Sequence, residues 1–301
     1  MSVQILLSTY NGEHYLKPLL ESLRGQDYPR VSILVRDDGS IDNTPALLRE
    51  FATGSKNVEI VFGKHIGFVQ SFFALVALAS PSVEYFAVCD QDDVWQQDKV
   101  SRAVEFLRQC SPDVPALYCS RLAVVNEDLK PLGYSDIPKK ALSFRNALVE
   151  NQARGCTSLL NQAARRLLMP FPSACVSHDW WIYLVVSAFG AVLYDSEPRI
   201  LYRQHTSNVF GISTGTIDAW RIKIRQFLKD GNSNLIAKQA EEFNRVYGSL
   251  IPDEHRRVIE RFLESREQFW DRLRYAFSCD VYRQSTLDQY ILKARIALDR
   301  L

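Results

Sequence analysis

The chain has 301 residues, 47% of them apolar and 24% charged, with a formal net charge of +1. That is enough chain for a sizeable core, as one large domain or one plus an appendage, and the composition excludes a disordered protein. The near-neutral balance gives no basis for nucleic-acid binding, which rests on a strongly basic surface.

Six cysteines (Cys89, Cys110, Cys119, Cys156, Cys175, Cys279) are scattered with neither C-x-x-C nor zinc spacing, and read as reduced thiols of a cytosolic protein. The chain starts directly on a strand pattern, so no export signal is expected. Two apolar stretches, 66–83 and 180–194, need testing as membrane spans. The first contains Gly67, Gln70 and Pro81, and the second falls short of the roughly 20 residues a spanning helix needs. Both read as buried elements of a core.

In chain order, residues 3–7 are an apolar run that ends in Ser8-Thr9-Tyr10-Asn11-Gly12, a buried parallel strand leading into a polar loop. Tyr15, Leu16, Leu19, Leu20 and Leu23 then recur at helical spacing, and Gly25 ends that helix. A second strand, 31–35, terminates in Arg36-Asp37-Asp38-Gly39-Ser40. Thr44 is the expected N-cap of the next helix, with Pro45 at its first position. Residues 58–62 make a third strand, and Gly67 opens an uncharged helix.

The fourth strand, 85–89, ends in Asp90-Gln91-Asp92-Asp93. Three carboxylates within four residues repel one another unless something positive sits among them, and a hard divalent cation is the usual remedy. A bare D-x-D also reads as a solvated acidic turn. Asp98 is the expected cap of the helix carrying Val100, Ala103, Val104 and Leu107. Strand and helix alternate over the first hundred residues, which predicts an α/β fold with a mostly parallel sheet. The paired carboxylates at 37–38 and 90–93 then share one sheet edge, the edge where such sheets bind ligands.

Beyond Pro115 the reading is a strand over 116–125, a turn at 126–128, and a helix through Leu159, Leu160, Ala163, Leu167 and Leu168. His178-Asp179-Trp180-Trp181 heads the second apolar stretch; a carboxylate there can equally be a simple helix cap. Strands at 192–194 and 199–202 lead to Arg203-Gln204-His205 and Asn208. From about Gly211 the chain is helical in pattern and carries 16 Lys and Arg against 13 Asp and Glu. Segments 220–229 and 262–277 are basic and amphipathic, the pattern of helices on anionic membranes, on partners, or packed as a cap. Two regions are expected, 1–210 and 211–301.

Asp-Gln-Asp-Asp-Val after a strand also fits haloacid-dehalogenase-type phosphatases, but those place the motif on the first strand of the core. The ordered set Ser8 to Gly12, Asp37-Asp38-Gly39-Ser40 with Asp42 and Thr44, Gly67, and Asp90 to Asp93 with Lys99 resembles family 2 glycosyltransferases. His178 to Trp181 and Tyr202-Arg203-Gln204-His205 with Asn208 resemble its bacterial rhamnosyltransferase-like branch. The match spans residues 1–210 and its specificity lies in the order. A Q-x-x-R-W motif of processive synthases is missing, which favours transfer of one sugar. His65 and Ser71 stand where relatives often have Asn.

The resemblance implies a GT-A fold, Rossmann-like with flanking helices and a C-terminal helical appendage, and an inverting transfer. Thr9, Tyr10, Asn11, Asp37, Asp38, Gly67, Asp90, Gln91 and Arg203 would bind the nucleotide-sugar donor, a dTDP- or UDP-sugar. Asp92, Asp90 and His205 would hold Mg2+ or Mn2+. Asp179 would be the catalytic base, with His178, Trp180 and Trp181 at the acceptor. The implied reaction moves L-rhamnose from dTDP-L-rhamnose onto a lipopolysaccharide core, O-antigen or other lipid-linked glycan at the cytoplasmic face of the inner membrane. A catalytically silent sugar-nucleotide-binding protein of the same fold is the rival, and retention of Asp90, Asp92 and Asp179 speaks against it. A nucleotidyltransferase would want a glycine- and basic-rich first loop, which Ser8 to Gly12 is not.

Overall fold

Strand β1 (Val3–Thr9) is apolar along most of its length because it has a parallel partner on each side, β2 (Val31–Asp37) and β4 (Tyr85–Cys89). The computed structural model describes residues 1–205, 234–278 and 280–301. With β3 (Val58–Phe62), β6 (Ala116–Ser120), β9 (Leu159–Asn161) and β10 (Ala191–Asp195), these strands make a seven-stranded sheet in the order β10-β6-β9-β4-β1-β2-β3. Only β9 runs against its neighbours. Helices α1 (Glu13–Arg24), α2 (Thr44–Ala52), α3 (Phe68–Leu78) and α4 (Lys99–Leu107) connect the strands. Leu16, Leu19, Leu20 and Leu23 of α1 join Ile5, Leu7, Val35, Ala87 and Val104 in one core. Each of these leucine, isoleucine and valine side chains contributes about 1.5–3 kcal/mol by leaving water.

A second, four-stranded sheet has the order β5-β11-β7-β8, from β5 (Val94–Trp95), β11 (Ile200–Arg203), β7 (Ala123–Val125) and β8 (Pro131–Tyr134). The expected strand over 116–125 is therefore two strands in different sheets. The expected helix through Leu159 is likewise half strand: β9 carries Leu159 and Leu160, and only Gln162–Leu167 (α6) is helical. Both leucines are buried between β4 and β6, and short apolar runs do not separate strand from helix. Asn161 marks the change, its side chain accepting the Ala164 N–H at 2.9 Å as an N-cap.

Two other caps differ from expectation. Asn43, not Thr44, holds the cap position of α2, and the Thr44 hydroxyl instead accepts the Gly12 N–H at 2.8 Å. Asp98 precedes α4, but its carboxylate pairs with Arg199 at 3.0 Å.

The chain divides into two compact units. One comprises Met1–Asp136, Ala153–Met169 and the described part of Ala191–Ile212; the other comprises Ile137–Gln152, Pro170–Gly190 and the described part of Ser213–Leu301. The expectation had 137–152 and 170–190 within a region 1–210; here they group with the C-terminal helices. Aromatic packing inside the second unit accounts for this. Phe144 of α5 (Phe144–Ala147) and Trp181 of α7 (His178–Phe189) both pack on Phe243, and Trp181 also meets Tyr247. Phe243 and Tyr247 belong to helix Leu235–Tyr247, which is followed by helices Asp253–Glu264, Phe269–Ser278 and Thr286–Ala297. Among the described residues no helix is long and apolar enough to cross a membrane.

Candidate active site

The loops after β1 and β2 are laced together at the carboxyl edge of the sheet. The Thr9 hydroxyl donates to Asp37 Oδ1 at 2.9 Å, and Ser40 gives Asp37 both its hydroxyl (2.6 Å) and its N–H (2.9 Å). Asn11 adopts a left-handed conformation with φ 47°, which lets its side-chain oxygen accept the Ile41 N–H at 2.9 Å. Its own N–H donates to Ser40 Oγ at 2.9 Å.

Asp38 is more fully engaged. Oδ1 accepts from Arg36 (2.5 Å) and the Ile66 N–H (2.9 Å), while Oδ2 meets His65 Nδ1 and the Gly67 N–H, both at 2.9 Å. Burial pushes this carboxyl up, but the bonds from Arg36, Ile66 and Gly67 outweigh it and leave its pKa below the ordinary value. Gly67 has φ 86°, so only glycine turns the chain here without backbone strain. Arg36 also donates to Ser71 Oγ at 3.0 Å, and Ser71 lies 2.7 Å from Ser8 Oγ. His65 and Ser71, the two departures from the family pattern, are thus both built into the support of Asp38. A carboxylate offers about four lone-pair sites, so Asp38 has none left for the imide N–H of a base, the role expected of the Asp37-Asp38 pair. What this edge does expose is Tyr10, stacked on His65 with centroids 4.2 Å apart.

The acidic loop joins the two sheets, leaving β4 at Cys89 and entering β5 at Val94. Gln91 is spent on backbone: its Oε1 accepts the Tyr10 N–H at 2.8 Å and its Nε2 donates to the Tyr10 carbonyl at 3.0 Å. A Cβ at Gly12 would lie 2.3 Å from that amide, so the glycine makes room for the clamp.

Asp92 Oδ2 and His205 Nε2 lie 2.9 Å apart, with side chains 20% and 7% exposed. His205 stacks on Tyr15 at 4.6 Å. The Arg203 N–H donates to Asp93 Oδ1 at 3.0 Å, its Nε donates to the Asp92 carbonyl at 2.8 Å, and its Nη1 donates to the Glu127 carbonyl. Arg203 is buried, and these bonds give it a role in fixing the loop. Asp93 is wholly buried, and burial together with Asp92 and Asp90 holds its pKa well above the usual carboxylate range. Lys99 is buried with its ammonium 3.3 Å from the Trp95 ring centroid, and burial lowers its pKa to about 8.

The donor set suits a small hard cation. Cis ligands at about 2.1 Å from an octahedral ion are about 3 Å apart, the separation that Asp92 and His205 already have. Asp90 lies on the same loop and is partly exposed. The ligand atoms of Asp90, Asp93 and Cys156 also lie within 4.8 Å of one another, but Asp93 and Cys156 are buried.

The residues expected at the acceptor lie in the second unit. Asp179 Oδ1 accepts from Ser177 Oγ at 2.5 Å and from the Trp180 N–H at 2.8 Å, as a first-turn carboxylate of α7 does. The Trp180 indole N–H donates to the Ala147 carbonyl at 2.6 Å, leaving part of the ring accessible. Trp181 is 0% exposed and belongs to the core, so the expectation that it stacks on an acceptor sugar is not met. His178 is also buried, and burial lowers its pKa to about 4. Asn208 and segment 220–229 lie outside the described residues.

Sequence reasoning missed Arg36, Tyr15 and the Glu127 carbonyl. Arg36 did carry a signal, since a charge at the end of an apolar strand needs a partner.

A mostly parallel sheet with one reversed strand, and loops from β1, β2 and β4 meeting at its carboxyl edge, is the GT-A arrangement of a nucleotide-sugar glycosyltransferase. S. aureus TarS 1-349 in complex with UDP-GlcNAc shares the fold with a TM-score of 0.59 at 14% identity, covering 99% of this chain and 91% of that one. A mannosyltransferase, PcManGT of Pyrobaculum calidifontis in complex with GDP-Man and Mn2+, matches with a TM-score of 0.52 at 16% identity, covering 99% and 86%. The chain belongs to glycosyl transferase family 2, whose family model matches residues 4–161. The dTDP-rhamnosyl transferase RfbG of Shigella flexneri is 27% identical over 227 residues, 68% of this chain and 73% of that protein.

Proposed function

We propose that this glycosyltransferase moves a single L-rhamnose from dTDP-L-rhamnose to a bacterial glycan acceptor with inversion, using Mg2+ or Mn2+. The observation that carries the metal reading is the 2.9 Å approach of Asp92 Oδ2 to His205 Nε2 at the carboxyl edge of the sheet. Asp92, His205 and Asp90 would hold the ion, which as a Lewis acid would stabilise charge on the departing nucleoside diphosphate. The similarity to RfbG supports the donor.

The chain's own residues have distinct parts. Thr9, Asn11, Asp37 and Asp38 fix two loops edge to edge, and exposed Tyr10 offers a ring face for the base. Asp179 takes the proton of the acceptor hydroxyl, which is too weak an acid to ionise unaided. Its Oδ1 is already engaged by Ser177 and Trp180, which would orient the carboxylate for that task.

The acceptor is a lipopolysaccharide core, O-antigen or related lipid-linked glycan, met at the cytoplasmic face of the inner membrane. In support, Trp270 (72% exposed) and Phe277 (83% exposed) leave large apolar surface on helix Phe269–Ser278, the kind of residue that settles at a lipid interface.

The test is a panel of dTDP-, UDP- and GDP-sugars incubated with the protein and Mn2+, reading release of nucleoside diphosphate. dTDP-L-rhamnose should turn over fastest, and EDTA should stop it. Equal release in EDTA refutes the metal assignment, and exclusive turnover of GDP-sugars refutes the donor.

A further inference from the structure

Between β3 and α3 the chain belongs to neither strand nor helix, yet residues 64–67 are pinned one after another. The Lys64 carbonyl accepts from Arg36 at 3.0 Å, and the Ile66 and Gly67 N–H groups donate to Asp38, each at 2.9 Å. Gly39, with φ 81°, brings the loop after β2 against the same segment; a Cβ there would lie 3.0 Å from the His65 nitrogen. The side chain of His65 completes the set, with Nδ1 2.9 Å from Asp38 Oδ2. A carboxylate only accepts, so Nδ1 carries the hydrogen and the imidazole plane is fixed although the side chain is 55% exposed.

Tyr10 meets this imidazole from the loop after β1. Its backbone is clamped by Gln91 at both the N–H and the carbonyl, and its ring lies on His65 with centroids 4.2 Å apart and planes 27° from parallel. Neither ring is in the core; Tyr10 is 41% exposed. A histidine–carboxylate pair this open to water adds little stability, and ordering two half-exposed rings costs rotamer freedom. An ordered stack at the carboxyl edge of the sheet that does so little for the fold has its use in what it presents to a ligand.

We propose that His65 is a positioning residue for the nucleobase of the donor: anchored on Asp38, its ring backs Tyr10 and holds the phenol ready for the base to stack on the other face. Asp38 then serves the base at one remove, through the imidazole, rather than by accepting a base N–H. Immobilising one free side chain on binding costs roughly two- to tenfold in affinity, and the stack meets that cost before the ligand arrives. An asparagine at 65 could still reach Asp38 but would offer no ring, so the platform belongs to this chain's histidine. The inference rests on the reading of Tyr10 as the ring face for the base.

The test uses the full chain as wild type, His65→Asn, His65→Phe, Tyr10→Ser and Tyr10→Ser/His65→Asn. Calorimetry in Mn2+ measures binding of dTDP, UDP and GDP, and the one that wild type binds most tightly is the probe. His65→Asn, which keeps a donor for Asp38 and loses the ring, should bind it roughly three- to tenfold more weakly. His65→Phe, which keeps the ring and loses the donor, should stay within about twofold of wild type. In the Tyr10→Ser background, His65→Asn should cost nothing further, because the two rings act as one unit. Without nucleotide, His65→Asn should melt within about 2 °C of wild type, as a half-exposed substitution does. Wild-type affinity in His65→Asn would overturn the proposal. Equal loss in His65→Asn and His65→Phe would do the same, since the ring would then count for nothing, as would a loss that persists after Tyr10→Ser. If Tyr10→Ser itself binds like wild type, the base does not stack on Tyr10, and that reading falls together with this one. Weakened Tyr10→Ser beside unaffected His65→Asn sinks the role of His65 alone.

Discussion

Asp179 and His178 are adjacent in sequence and opposite in circumstance. Asp179 is partly exposed with its Oδ1 engaged, whereas His178 is buried and held near pKa 4. Asp179→Asn keeps shape and hydrogen bonding but removes the basic lone pair. Transfer should fall by about 10²–10⁴ in kcat with donor affinity little changed. Near wild-type kcat would place the base elsewhere. For His178 the pKa is depressed in the fold, so the unfolded chain takes up a proton that the folded one refuses. Stability conferred by the neutral ring is full above about pH 6.5 and is lost as pH falls towards 4. Urea midpoints measured between pH 4 and 7 should fall more steeply for wild type than for His178→Phe. At Gly67 the cost is purely one of backbone, since a Cβ would meet nothing within 4 Å. Gly67→Ala should therefore destabilise by about 1–3 kcal/mol, because φ 86° with ψ 154° is a region that essentially only glycine occupies, and the same titration would measure it.

Strand β11 does more than complete the second sheet. Its last residue fixes the acidic loop through Arg203, and His205 follows two residues later. Lysine at 203 could not reach the Asp92 and Glu127 carbonyls with one planar group. Arg203→Lys should weaken Mn2+ binding roughly tenfold, about the worth of a lost hydrogen bond to a charged donor, and calorimetry would show it. Helix Phe269–Ser278 is a different case. Segment 262–277, read as one amphipathic stretch, is two helices, with Phe262 buried in the first and Phe269, Trp270 and Phe277 exposed on the second. Trp270→Ser/Phe277→Ser should lose co-sedimentation with anionic vesicles and keep sugar-nucleotide hydrolysis. Retention on vesicles would refute the membrane surface. The α/β alternation, the order of motifs and the loops at 8–12, 37–40 and 90–93 were all legible in sequence, because buried strands and long helices announce themselves by period. The spending of Gln91, Asp38 and Arg203 on protein partners was not. A polar residue's partner lies far along the chain, 81 positions away for Gln91 and Tyr10, and no local pattern encodes it.

For the molecule as a whole, donor binding and stability are linked. A ligand that binds only the folded state at 100 times its Kd adds about 2.7 kcal/mol, worth several degrees in Tm for a chain of this size. dTDP with Mn2+ should raise Tm by that much and GDP should not, while EDTA should abolish the shift. The two units give the chain two separate cores, so a calorimetric scan should show which of two transitions the nucleotide moves.

The passage from Cys89 to Val94 carries a further consequence. Its two ends belong to separate hydrogen-bond ladders, β4 against β1 and β9, and β5 against β11 with Trp95 opposite Ile200. A strand turns over with each added residue. One insertion here would swing Trp95 away from the core and take the seat of the Lys99 ammonium with it. Among descendants of this gene, indels should be purged from the acidic loop, even where its letters change. What selection preserves there is a length.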